Sequence, residues 1–117
     1  MRMKIRVIEI NQTLGNDIKL ADTIIQRLKG LMFQRHMSGY DGLMIRPCNS
    51  IHTFFMCYNI DVVFLDREFK IIKIIRDLRP WRMTMVYFNA YQVLELLGGT
   101  LSQDATEGQK LEVLCLN

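Results

Sequence analysis

Apolar and polar residues alternate from the start of the chain. Within Met3 to Ile10, Ile5 and Val7 point one way while Lys4, Arg6 and Ile8 point the other, as in a strand. Asn11 to Asn16 carries a Gly-Asn pair and reads as a turn, and Ile18 to Ala21 reads as a short return strand. A helical period then takes over. Ile24, Ile25, Leu28, Leu31 and Met32 fall on one stripe, Asp22 can cap the free amides of a first turn, Arg27 and Lys29 suit a last turn, and Gly30 can end it. From Gly42 the β pattern returns. Gly42-Leu43-Met44-Ile45 is a short strand broken at Pro47, Ser50 to Tyr58 is rich in aromatic and β-branched residues, and Ile60 to Leu65 is an apolar strand. Asp66-Arg67-Glu68 reads as a hairpin turn. Phe69 to Ile75 is the returning strand, closed by Arg79-Pro80 and apolar on both sides, which predicts a central strand covered on two faces. Val86 to Leu97 fits either a strand through Tyr91, Val93 and Leu94 or a helix starting at Asn89, and Gly98-Gly99 ends it. Leu111 to Leu116 is a closing strand. The pattern predicts an α+β class that is mostly β. A strongly bent or partly closed antiparallel or mixed sheet, barrel-like, carries one short helix near residues 22–30.

Composition narrows the setting. A chain of 117 residues is expected to form a single domain, 1–117, and to bury about two-thirds of its unfolded surface; half of its residues are hydrophobic. Cys48, Cys57 and Cys115 are odd in number and lack C-x-x-C spacing, which suggests reduced thiols, with Cys57 and Cys115 packed in apolar strands. MRMKIRVIEINQ contains no uninterrupted apolar segment, and no window approaches the ~20 apolar residues of a membrane span. The expectation is a cytoplasmic bacterial protein with no membrane association. A net charge of +3 permits contact with nucleic acid without arguing for it. Arg67, Lys70, Lys73, Arg76, Arg79 and Arg82 recur every third residue, but on a strand that period alternates between faces. Nucleic acid is therefore not expected as a partner, although Trp81, Tyr87 and Phe88 could stack on bases.

The stretch PCNSIHTFFM places Cys48, His52 and Met56 four residues apart. On a strand that step covers ~13 Å, too far for three side chains to share one ion at bond lengths of about 2.0–2.3 Å. On a helix the step is ~6 Å and sharing becomes possible. The β-branched and aromatic residues between them favour the strand, so no metal and no cofactor is expected, and Cys48 with His52 makes no nucleophile–base pair.

Two acids interrupt apolar strands: Asp61 and Glu95. They could line a polar pocket with one or two arginines, or they could face solvent or form structural ion pairs. For Asp61 the candidate partners are Arg76, Arg79, Arg82 and His52. Arg79-Pro80-Trp81-Arg82 joins two residue types common at interface hot spots to a stiffening proline. The favoured reading is a non-catalytic binding or accessory module. It would recognise a protein or a small acidic ligand through His52, Asp61, Arg79, Trp81 and Arg82, with Glu95 as a further candidate, and with no catalytic residue assigned. The alternative is a small hydrolase-like enzyme using His52 and Asp61 as an acid–base pair.

In order and spacing, several segments together resemble the Domain of Unknown Function 192 family. They are Arg27-x-x-Gly30-Leu31-Met32, Gly42-Leu43-Met44, Ile51-His52-Thr53-Phe54-Phe55-Met56, Ile60 to Asp66, Leu78 to Arg82, Val93-Leu94-Glu95-Leu96 with Gly98-Gly99, and Gly108. The likeness runs from about residue 23 to the C-terminus. Where many relatives have glycine in the hairpin turn, this chain has Arg67-Glu68-Phe69. Some relatives carry an export signal, so the chain is similar to the cytoplasmic short form. The resemblance implies a compact mixed β fold and implies no reaction.

Overall fold

A computed structural model describes residues 1–116. Strands β1 (Arg2–Val7), β2 (Gln12–Ala21), β3 (Gly42–Ile45), β4 (Ile60–Leu65), β5 (Ile71–Leu78), β6 (Gln92–Leu97) and β7 (Leu111–Cys115) are joined by one short helix, α1 (Ile24–Lys29), among the described residues. They form a single sheet in the order β5-β4-β6-β3-β2-β1-β7. The β2–β3 pair is parallel, because α1 carries the chain across between them, and the other pairs are antiparallel. The sheet curls into a half-barrel whose two edge strands meet at one end. There the Ile71 amide donates to the Gln109 carbonyl at 2.8 Å, and the Leu111 amide donates to the Phe69 carbonyl at 2.9 Å. The mostly-β, bent, mixed sheet with one short helix is as the residue pattern predicts.

Alternation explains the two cores. One set of side chains fills the concave side: Met3, Ile5 and Val7 from β1, Ile18 from β2, Met44 from β3, Val63 from β4 and Leu96 from β6. The opposite set covers the outer face, where Leu43, Ile45, Val62, Phe64 and Val93 lie beneath the segments that follow β3 and β5. β4 is therefore buried on both faces along its whole length. Gly42 is required inside this packing. A Cβ there would lie 2.5 Å from Ile18 Cδ1 and 2.8 Å from Leu96 Cδ2.

Several local expectations are corrected. β5, expected at the centre, is an edge strand of intermediate burial. Ser50 to Tyr58 is not a strand; it crosses the outer face as an irregular segment with one bridge, His52 to Met83. β2 starts earlier than the short return strand, because Asp41 accepts hydrogen bonds from the amides of Asn16 and Asp17 beside the irregular pairing at Gly15. Thr23, not Asp22, caps α1: its hydroxyl accepts from the Gln26 amide at 3.2 Å, while Gln26 Oε1 accepts from the Thr23 amide. The apolar stripe of α1 does not pack inward. None of its six residues is buried, and Ile24, Ile25 and Leu28 are each about 70% exposed or more. Cys57 and Cys115 are exposed rather than packed. In the β4–β5 turn Asp66 Oδ1 accepts from the amides of Glu68 and Lys70, and Phe69 takes the left-handed conformation (φ 64°) where a glycine would be free of strain.

Candidate functional site

The segment after β3 and the segment after β5 run side by side over the outer face, tied by one threonine. Thr53 is fully buried. Its amide donates to the Arg82 carbonyl at 2.8 Å, and its hydroxyl donates to the Arg79 carbonyl at 2.6 Å. The Thr53 hydroxyl and carbonyl in turn accept from the amides of Arg82 (2.9 Å) and Trp81 (3.0 Å). Thr84 repeats the pattern one step on, exchanging hydrogen bonds with Ile51. Four expected site residues, His52, Arg79, Trp81 and Arg82, are thereby brought onto one ledge, and all four are exposed.

A chain of rings crosses this ledge. His52 stacks on Phe54 at 4.9 Å, Phe54 lies 5.8 Å from Trp81, Trp81 meets Phe55 edge-on at 4.7 Å, and Phe55 lies 5.1 Å from Phe33. His52 Nδ1 accepts from the Phe54 amide at 3.2 Å, which turns its ring into this chain. Phe33, Phe55 and Trp81 are 70, 47 and 56% exposed. All three adopt left-handed backbone (φ 64°, 62° and 65°), a conformation that costs a non-glycine residue about 1–2 kcal/mol.

The two acids separate. Asp61 pairs with Leu96 and Val62 pairs with Glu95, so Asp61 and Glu95 point to opposite faces of the sheet. Asp61 does not belong to the ledge, and it pairs with neither Arg79 nor Arg82. Its buried carboxylate accepts from the backbone amides of Asp77 (2.8 Å), Gly99 (2.9 Å) and Leu101 (2.9 Å), which fixes the irregular end of β5 and the turn after β6. Arg76 is likewise spent on structure, donating to the carbonyls of Leu101, Ser102 and Ala105. The expected His52–Asp61 acid–base pair is therefore not assembled: one partner is on an outer loop and the other is saturated by amides on the inner face.

Glu95 is on the outer face and is 3% exposed. It opens into a cavity of about 240 Å³ between α1 and the 48–56 segment, walled by Leu28, Leu31, Ile45 and Met56, with Cys48 and Arg27 also facing it. Burial pushes the Glu95 carboxyl up to about 8, and no side chain among the described residues donates to it. Burial also pushes the Cys48 thiol up, and its Sγ donates to the Ser50 carbonyl at 3.1 Å, so it is held as a neutral thiol. Cys48, His52 and Met56 all line this cavity, because the segment bends where a strand would have spread them. No group of three His, Cys, Asp or Glu side chains among the described residues is arranged to hold a metal ion. The residue pattern pointed to Glu95 and to the ledge. It did not single out Thr53, Phe33, Phe55 or Arg27 as site residues, although Arg27, Thr53 and Phe55 stand in the segments that carry the family resemblance.

No helix among the described residues is long and apolar enough to cross a membrane. Residues 6–113 match the DUF192 family, described as "Uncharacterized ACR". The chain is 34% identical over 90 residues to the UPF0127 protein PH1112 of Pyrococcus horikoshii, covering 73% of this chain and 76% of that one. Its fold is similar to that of a Sinorhizobium meliloti 1021 protein provisionally called a transcription regulator, with TM-score 0.82 and 23% identity over 97% of this chain and 94% of that one. It is also similar to a protein of unknown function from Novosphingobium aromaticivorans, with TM-score 0.79 and 18% identity over 96% and 84% of the two chains. The chain belongs to the DUF192 family.

Proposed function

We propose that this DUF192 protein is a non-catalytic binding module that docks a partner protein on the aromatic ledge around Trp81. The observation that carries the reading is that three touching, exposed rings, Phe33, Phe55 and Trp81, all sit on left-handed backbone. Strain of that kind persists where surrounding structure enforces it, and it concentrates at binding sites. Rings held this way are pre-organised, so little freedom is lost on binding. Exposed Ile24, Ile25 and Leu28 extend the apolar surface, and Met83 and Met85 continue it beyond the ledge. Exposed Arg79 and Arg82 flank Trp81 in the chain, so the rim there is basic. The partner that fits is a protein presenting an apolar anchor ringed by acidic side chains. Asp61 takes no part in this surface.

The test is affinity capture from the native host with wild type beside Trp81→Ala, followed by reconstitution with the purified partner. The expected result is a complex of about micromolar affinity or tighter, weakened at least about tenfold by Trp81→Ala. Retention of the same proteins by wild type and variant would overturn the reading.

A further inference from the structure

Glu95 and Arg27 face one cavity, carry opposite charge when ionised, and are not paired with each other. Glu95 is 3% exposed and lines the cavity, and no group among the described residues donates a hydrogen bond to its carboxyl. The exposed Arg27 guanidinium makes no hydrogen bond or ion pair among the described residues. The remaining walls are mostly aliphatic or thioether, with Lys29 and His52 also on the lining. The volume, about 240 Å³, exceeds the ~150 Å³ that accepts benzene in an engineered apolar cavity.

We infer that this cavity is a binding site for a small dipolar ligand on an apolar body, of the class of free aliphatic α-amino acids. The ligand's ammonium sits against the Glu95 carboxylate, and its carboxylate against the Arg27 guanidinium. The apolar side chain packs on Leu28, Leu31, Ile45 and Met56. Each half of the ligand meets one protein group of opposite charge. An ammonium gives the buried carboxyl both donors and a counter-charge, which allows it to ionise inside the protein. A carboxylate gives Arg27 a two-pronged acceptor. A ligand without an ammonium leaves the Glu95 carboxyl without a counter-charge, and one without a carboxylate leaves the exposed Arg27 guanidinium to water. The site borders the docking surface, sharing Leu28 and His52, but Trp81 does not line it, so Trp81→Ala tests the docking reading and Glu95→Gln tests this one.

The experiment is an NMR titration of the full chain with leucine, methionine, hexylamine and hexanoate. Leucine or methionine is expected to shift the signals of Leu31, Cys48 and Met56 with a Kd of about 1 mM or below, and to bind more tightly than either single-charge probe. Glu95→Gln and Arg27→Gln should each weaken amino-acid binding at least about tenfold. Glu95→Gln keeps the shape of the protonated side chain, and Arg27 is on an exposed helix, so Arg27→Gln tests the site without threatening the fold. No shift with either amino acid would overturn the inference. So would unchanged affinity in either variant, or hexylamine binding as tightly as leucine and indifferent to Arg27→Gln.

Discussion

Replacing Glu95 by glutamine reads directly how strongly the outer core resists a charge. The side chain is 3% exposed, and its carboxyl is raised from 4.5 to about 8 by burial. Between those values the folded protein holds a proton that the unfolded chain has released. Stability from this group is therefore complete below 4.5 and is lost as pH rises through 8. At 1.36 kcal/mol per pH unit the full span is worth about 5 kcal/mol; the cavity admits water to one side of the carboxylate, so a loss of about 2–5 kcal/mol is expected. Glutamine has nearly the shape of the protonated acid and does not titrate. The assay is urea unfolding of wild type and Glu95→Gln at intervals from pH 4.5 to 8, with m-values compared. Subtracting the two curves cancels every other titrating group common to both proteins. Cys48 and Tyr58, which feel the Glu95 charge, are themselves held above their ordinary values and so titrate above this window. The variants should match at the acid end, and Glu95→Gln should be the more stable protein at the alkaline end. A difference that stays flat across the range would show that the carboxyl ionises freely, and would refute the desolvation argument.

Asp61→Asn should cost about 3 kcal/mol in the same assay, because an amide nitrogen would then face backbone donors now bound at 2.8–2.9 Å; a loss below ~1 kcal/mol would show that the turn after β6 holds without the carboxylate. His52→Ala should cost less than about 1 kcal/mol, since the ring is exposed and has one weak backbone contact; a loss above ~2 kcal/mol at unchanged m-value would show that the ring is a buried support. Gly42→Ala should lower stability by about 1–3 kcal/mol by forcing a methyl against Ile18 and Leu96, read as a fall in thermal midpoint; an unchanged midpoint would mean that the concave core has slack.

Most of the sheet was legible because alternation is a local property. β1, β3, β4 and β7 follow from runs of a few residues, and the ambiguous Val86 to Leu97 stretch resolves as β6 from Gln92 onward. Where local preference failed, a distant partner decided. Ile51, Thr53, Phe54 and Phe55 favour a strand, yet Thr53 is hooked to backbone atoms 26 to 29 residues away, which bends the segment into a ledge. The pairing of Val62 with Glu95 puts the two acids on opposite faces, and a slip of one residue in β6 would have put both on the face of Asp61. The apolar spacing of α1 was legible, but periodicity reports which side chains share a face and says nothing of what covers it, and Ile24, Ile25 and Leu28 are left exposed.

The strand order also constrains how the chain can be made. β1 and β2 form a hairpin that emerges early, but β1's other neighbour is β7, and β2 meets β3 only after α1 has crossed over. β4 and β5 pair locally, whereas β6 joins β3 to β4 and completes the middle of the sheet. During synthesis the first hairpin thus waits, with Met3, Ile5 and Val7 uncovered, until nearly the whole chain has left the ribosome. Non-local pairing of this kind slows folding and leaves apolar edges open in the meantime. A nascent chain halted before β6 would be a sticky, half-built sheet, so the protein's yield in the cell should depend on chaperone supply far more than its final stability would suggest.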